Sequence, residues 1–126
     1  MRTIVLLFTF FLSLHVAVAA DALNVIVFGA HPDDCDISAG GVAALFAQTG
    51  HNVKFVSMTT GNKGHHSMKP DELAARRKKE MQDAARVLGI VYENLNNDDG
   101  ELMATIENRK AVIKLICDWK ADIVIS

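Results

Sequence analysis

The strongest constraint on the fold is a short aliphatic run that leads directly into a charged segment. Val25 to Phe28 are all apolar, and after Gly29 and Ala30 the chain continues with His31 to Asp34. A run without polar alternation is typical of a strand covered on both faces, as in a parallel sheet flanked by helices. We therefore expect an α/β fold with the charged segment at the carboxyl end of its first strand.

Apolar strands and helical stripes alternate along the rest of the chain. Strands separated by helices of this length predict right-handed crossovers and a three-layer, Rossmann-like α/β sandwich with a mostly parallel sheet. The predicted strands are Asn24 to Gly29, Val53 to Met58, Ile90 to Leu95 and Asp122 to Ile125. The predicted helices run from near Ser38 to Gly50, from Pro70 to Gly89, and through Leu102, Ile106, Ile113 and Ile116. Val42, Leu45 and Phe46 mark one side of the first helix.

The first twenty residues are expected to be a targeting segment and not part of the fold. Arg2 provides a short positive region, Ile4 to Val18 an apolar one, and Ala17 to Ala20 a small-residue exit, which predicts a secretory signal peptide over residues 1–20. The domain would then comprise residues 21–126, and the protein would be secreted or periplasmic. The alternative is an uncleaved signal anchor in the membrane.

Composition argues against a nucleic-acid partner, and the two cysteines are not expected to form a disulfide framework. The chain has 126 residues, a net charge of -2 and 6% aromatic residues. The basic stripe or aromatic ladder of a nucleic-acid-binding protein is not expected from these values. Cys35 and Cys117 are predicted to be two small buried side chains and not a disulfide framework.

His31 to Asp34 have the chemistry of a metal site. His31 offers an imidazole nitrogen and Asp34 a carboxylate oxygen, both of which zinc accepts, and a third protein ligand plus water would complete a catalytic site. Asp33 need not bind the metal, since its carboxylate could take a proton from the water that the metal acidifies. Alternatively, the acidic residues only interact with the positive end of the next helix, which explains Asp36 but not His31.

These motifs resemble a known family. Val27 to Asp34, followed by Asp36 and Gly40-Gly41, is similar to the signature of the N-acetylglucosaminyl-phosphatidylinositol deacetylase family, also called the PIG-L or LmbE-like family. The resemblance covers nearly all of the chain beyond the signal, continuing through Thr59 to Gly64, Arg77 to Glu80, Ala84 to Gly89, and Asp99-Gly100. One departure is Asp36, where the family more often has glutamate.

The resemblance implies a zinc-dependent hydrolase with one Zn²⁺ per site. Such an enzyme removes an acetyl or other acyl group from the amine of a glucosamine-like sugar, so the expected partner is a small amino-sugar conjugate. Carried onto the matching positions, His31 and Asp34 would be zinc ligands and Asp33 the general base. The alternatives are a metal- or sugar-binding α/β module without turnover, or an inactive fragment that lacks the third zinc ligand.

The resemblance also implies two substrate-binding residues, Arg77 and Asp99. Arg77 matches an arginine that is expected to reach the substrate, and it falls on the apolar stripe of its helix, where a guanidinium needs solvent or a partner. The alternative for Arg77 is an ion pair with Glu80. Asp99 matches an acidic position that can contact sugar hydroxyls, and the alternative is turn formation with Gly100.

A third zinc ligand is expected outside these motifs. In the family it is a histidine in a motif just after the fourth strand, where this sequence ends at Ser126. We therefore expect a domain truncated after the fourth strand and an incomplete zinc site. His65 and His66, in the loop after the second strand, are candidates to replace the missing ligand, although two histidines in an exposed loop are more often simply solvated.

Overall fold

A computed structural model describes residues 21–126, and the predicted signal peptide lies outside them. The elements are β1 (Asn24–Gly29), α1 (Asp34–Gln48), β2 (Asn52–Thr59), α2 (Pro70–Leu88), β3 (Val91–Asn97), α3 (Ile106–Asp118) and β4 (Ile123–Ile125). All strand pairs are parallel, in the order β3-β2-β1-β4. The predicted α/β fold with a parallel sheet is thereby confirmed. No helix within residues 21–126 is both long and apolar enough to cross a bilayer.

The order of the strands places the end of β1 at a special point of the sheet. The chain moves from β1 through β2 to β3 in one direction, and β4 then pairs with the opposite side of β1. Because parallel crossovers are right-handed, this reversal puts α1 and α2 on one face of the sheet and α3 on the other. Ligands of such sheets bind beyond the carboxyl ends of the strands, at the reversal, which here follows β1.

The two faces of the sheet carry separate apolar clusters. The first face, covered by α1 and α2, buries Val25, Val27, Val53 and Phe55 of the strands against Cys35, Ala39 and Ala43 of α1. The second face, covered by α3, buries Ile26 and Val56 against Leu115. An apolar groove of about 560 Å³ runs beside α3 and is lined by residues that include Met58, Met103, Val112 and Ile113.

Helix α1 differs from its prediction in its start and in its buried side. It begins at Asp34 and not near Ser38, because Asp34 and Asp36 stabilise the positive end of the helix in its first turn. The buried side consists of the small residues Cys35, Ala39 and Ala43. Of the predicted stripe, Phe46 packs against this cluster, whereas Val42 and Leu45 are exposed. Small side chains allow the helix to lie close to the strands.

The later elements are closer to their predictions. Helix α2 ends before Gly89, which adopts the left-handed conformation expected there, with φ of 71°. Helix α3 begins only at Ile106, because Thr105 caps it by accepting a hydrogen bond from the Asn108 N–H at 3.2 Å. Leu102 therefore lies in the preceding loop. Cys117 is exposed, so its prediction as a buried side chain is wrong, while Cys35 is buried as predicted.

Candidate active site

A cleft of about 240 Å³ lies at the carboxyl edge of the sheet. Its lining brings together four of the five predicted site residues, His31, Asp33, Arg77 and Asp99. The fifth, Asp34, contacts His31, whose backbone N–H donates to Asp34 Oδ2 at 2.8 Å. Four separate elements contribute to the lining, because the loops after β1, β2 and β3 and the early turns of α2 share this edge.

The loop after β1 is held in a sharp turn by close contacts. Gly29 is required there, because a Cβ atom at this position would lie 2.7 Å from the Asp34 Cβ. The Ala30 carbonyl accepts two hydrogen bonds from Thr59, one from its hydroxyl at 2.8 Å and one from its backbone N–H at 3.0 Å. The turn that presents His31 is thus anchored to the end of β2.

Tyr92 of β3 fixes the same loop from the first face of the sheet. Its hydroxyl donates to the Pro32 carbonyl, and it lies 3.4 Å from Asp36 Oδ2. Burial raises the pKa of the Asp36 carboxyl, an effect that the Tyr92 hydrogen bond opposes and the charge of Asp33 reinforces. Burial likewise raises the pKa of Tyr92, so its hydroxyl stays protonated as a donor. Sequence reasoning missed Tyr92, which carries no local motif.

The loop after β2 closes over the first loop and is tied to the loop after β3. Gly61 has φ of 65°, and a Cβ atom there would lie 2.9 Å from Pro32 Cδ, so only glycine fits. Asn62 donates to Asp98 Oδ1 at 2.8 Å, and its side-chain oxygen accepts the Asp99 N–H at 3.0 Å. Asn62 was also missed from the sequence, where only its place beside Gly61 marked it as part of a turn.

His31 faces a carboxylate on each side of its ring. Its Nδ1 lies 3.3 Å from Asp34 Oδ2, and its Nε2 lies 3.0 Å from Asp99 Oδ1. An imidazole nitrogen and a carboxylate oxygen at this separation fit a shared Zn²⁺ in donor type. Within residues 21–126, however, no group of three or more His, Cys, Asp or Glu side chains is placed to hold a metal ion.

His65 and His66 do not join His31 and Asp34 as further metal donors. Their rings stack on each other with centroids 4.7 Å apart. His65 Nδ1 accepts backbone hydrogen bonds from Ser67 at 3.3 Å and Met68 at 3.1 Å, which engages it in its own turn. The described structure therefore gives no support to the prediction that they replace a third ligand.

Asp33 and Arg77 occupy the wall of the cleft. Asp33 precedes α1, and its side chain makes no capping hydrogen bond to the helix, so capping does not account for its orientation. Arg77 lies 3.3 Å from Glu80 Oε2, the predicted ion pair, and also lines the cleft. Both predictions for Arg77 are therefore compatible, since a surface ion pair of this kind is weak and can rearrange.

The comparisons with known proteins agree with these motifs. Residues 26–126 match the profile of the PIG-L family, described as GlcNAc-PI de-N-acetylase. The chain is 32% identical over 108 residues to the diacetylchitobiose deacetylase of Thermococcus kodakarensis, covering 83% of this chain and 40% of that protein. It is 38% identical to N,N'-diacetylchitobiose deacetylase from Pyrococcus horikoshii, with a TM-score of 0.77 and coverage of 82% of this chain and 40% of that one.

The fold itself is shared more widely than this chemistry. The structure of 4-carboxy-2-hydroxymuconate hydratase from Pseudomonas putida matches with a TM-score of 0.77 at 23% identity, covering 82% of this chain and 46% of that one. At this identity the match shows the fold alone. The chain spans about 40% of the length of the two deacetylases.

Proposed function

The chain belongs to the PIG-L family of GlcNAc-PI de-N-acetylases, and we propose that the protein is a metal-dependent N-deacetylase acting on a glucosamine-containing substrate. The observation that carries this proposal is the convergence of His31, Asp33, Arg77 and Asp99 on one cleft. These residues come from three segments that are far apart in the sequence, the first of which contains both His31 and Asp33. They combine a metal donor, a carboxylate base and polar groups suited to a sugar.

We propose that His31 and Asp34 supply two of the protein ligands of one Zn²⁺ ion. Their facing nitrogen and oxygen atoms, 3.3 Å apart, support this assignment. When bound, zinc lowers the pKa of water to about 7 and polarises the amide carbonyl of the substrate. From the family resemblance, we expect the remaining protein ligand to be a histidine after the fourth strand.

Asp33 is the general base of the proposed reaction. Its carboxylate accepts a proton from the water that attacks the acyl carbon, and it returns this proton to the amine when the carbon–nitrogen bond breaks. The products are the free amine and the carboxylic acid. Support comes from the location of Asp33 in the lining of the cleft, together with His31 and Arg77.

Arg77 and Asp99 are proposed to orient the substrate. A guanidinium donates hydrogen bonds to sugar hydroxyls and a carboxylate accepts them, and both groups line the same cleft. The two relatives are diacetylchitobiose deacetylases, which supports a small N-acetylated amino sugar as the substrate class.

We also propose that the protein is exported, which the sequence motif of residues 1–20 supports. The amino-terminal residue of the mature protein, determined by mass spectrometry, tests that proposal.

The deacetylase proposal is tested on the protein expressed from its complete gene. We expect zinc-dependent acetate release from N,N'-diacetylchitobiose, and a fall in kcat of about 100-fold or more for Asp33→Asn with unchanged zinc content. Asp71→Asn, an exposed carboxylate in the first turn of α2, is the matched control and should keep full activity. Stoichiometric zinc without any acetate release from amino sugars would contradict the proposal and favour a binding module.

A further inference from the structure

We propose that Asp99 is a positioning residue for His31, accepting the imidazole Nε2–H so that Nδ1 faces Asp34 as a metal donor. This inference rests on the proposed function, because it takes His31 and Asp34 as the residues that would hold the metal. The contact that carries it joins His31 Nε2 and Asp99 Oδ1 at 3.0 Å, between residues 68 positions apart.

The two nitrogens of His31 have different surroundings. A neutral imidazole carries one N–H and one acceptor nitrogen, so the two positions cannot both donate. Asp34 Oδ2 already accepts the His31 backbone N–H at 2.8 Å, which fixes this oxygen beside Nδ1 at 3.3 Å. A cation shared by Nδ1 and Asp34 requires the ring proton on Nε2, and Asp99 is the acceptor that faces that position.

Asp99 is more deeply buried than His31 and Asp34, and its loop is held by hydrogen bonds to Asn62. Its side chain is 17% exposed, against 48% for His31 and 42% for Asp34. The Asp99 backbone N–H donates to Asn62 Oδ1 at 3.0 Å, and the same Asn62 amide donates to Asp98 Oδ1 at 2.8 Å. Asn62 is itself only 9% exposed. The loop after β2 thus clamps the loop after β3, and this clamp sets the position of Asp99.

A carboxylate in this position has a known physical effect on a metal site. It fixes the tautomer and the ring orientation of the histidine, and its removal typically lowers metal affinity by about 10–100-fold. Only Oδ1 of Asp99 faces His31 in this arrangement. The second oxygen leaves room for the sugar contact predicted for the same residue.

The first test measures zinc affinity by competition with a chelator, using the protein expressed from its complete gene. We expect Asp99→Ala to weaken zinc binding by about 10–100-fold, and Asp99→Asn to restore part of the loss because its amide oxygen can still accept the ring N–H. Glu101→Ala is the matched control, since it removes the same charge from the same loop but pairs with Lys63 and not with His31. Zinc affinity in this control should stay unchanged.

The second test uses ¹⁵N NMR of the zinc-loaded protein to observe the His31 ring. We expect zinc on Nδ1 and a hydrogen-bonded Nε2–H that is seen in the wild type and in Glu101→Ala but is lost in Asp99→Ala.

A third test examines the clamp formed by Asn62. Asn62→Ala should weaken zinc binding several-fold. The double variant with Asp99→Ala should bind zinc no more weakly than Asp99→Ala alone, because both substitutions act through one contact.

Several results would overturn the positioning role. Unchanged zinc affinity in Asp99→Ala, an equal loss in Glu101→Ala, or zinc bound through Nε2 would each do so. The proposed function fails separately: if His31→Ala leaves zinc binding intact, His31 is not a metal ligand. If zinc binding and the NMR signals behave as expected but no acetate is released, deacetylation is wrong and the positioning role stands.

Discussion

The first and second faces of the sheet differ in how completely they are covered. On the first face, α1 and α2 bury Val25, Val27 and Phe55 to 2% exposure or less. On the second face, α3 buries Ile26 and Val56, but the strand residue Val124 is 47% exposed and an apolar groove remains open. The same sheet therefore has one closely packed side and one partly open side.

This difference bears on the candidate active site, because the supports of the first loop come from the closely packed side. Tyr92, which holds the Pro32 carbonyl, packs against the first-face cluster through Phe55. Cys35, one residue after Asp34, is buried in that cluster. We infer that the first face holds the loop after β1 in place and contributes most of the packing stability.

The largest effect is expected at the centre of the first face. Phe55 is fully buried and meets the Tyr92 ring edge to face at 5.4 Å. Phe55→Ala should lower the free energy of unfolding by about 3–5 kcal/mol, through lost burial and the resulting cavity. Val124→Ala on the second face should cost less than about 1 kcal/mol. Urea unfolding measures both losses of stability, and equal losses would contradict the proposed difference between the two faces.

Substitutions in the helices should show the same difference between the two faces, with somewhat smaller losses in the free energy of unfolding. Leu73 of α2 is 3% exposed, whereas Ile113 of α3 is 60% exposed. We expect Leu73→Ala to cost about 2–5 kcal/mol in urea unfolding and Ile113→Ala about 0.5 kcal/mol or less. A large loss in Ile113→Ala would mean that the groove beside α3 is packed more closely in solution than this structure describes.

The two cysteines report on the two faces chemically. Burial raises the pKa of Cys35 from 9.0 to about 11, which lowers its thiolate fraction at about pH 8 by about a hundredfold. Cys117 of α3 is exposed. Iodoacetamide should therefore alkylate Cys117 in the native protein and Cys35 only after unfolding, as peptide mass spectrometry can show. Early labelling of Cys35 would indicate that the first face opens readily.

The smallest effect is expected from removing one hydroxyl. Tyr92→Phe keeps the ring against Phe55 but removes the donor to the Pro32 carbonyl. It should lower the free energy of unfolding by about 1 kcal/mol and speed hydrogen exchange of the Asp34 amide, which donates to the His31 carbonyl at 3.3 Å. Exchange in α3 should not change, and general acceleration would argue against a local role.

The sequence predicts the course of the chain well but not which side chains of a helix face the sheet. The aliphatic run from Asn24 to Gly29 gives β1 with the same bounds as the structure, because a strand buried on both faces needs apolar residues throughout. In α1, by contrast, three large apolar residues were expected to mark the packed side, and only Phe46 packs there. Close approach of the helix selects Ala39 and Ala43 instead, and periodicity does not reveal that distance.

The candidate site is predictable to the extent that its residues carry local chemistry. Parallel strands end at one edge, so His31, Arg77 and Asp99 could be placed together before any contact was known. Tyr92 and Asn62 could not be found in this way. Their roles depend on partners 60 and 36 positions away, Pro32 and Asp98, and neither residue type signals such a contact by itself.

The central position of β1 has a consequence for synthesis on the ribosome. One neighbour, β2, begins 28 residues after Asn24, but the contact of Asn24 with Asp122 beside β4 spans 98 residues. At about 5–20 residues per second, roughly 5–20 seconds of translation separate the two ends of that contact. During this interval one edge of β1 has no strand to pair with, and an unpaired apolar strand is an aggregation risk. Chaperone demand should therefore be greatest for nascent chains in which β2 has emerged and β4 has not.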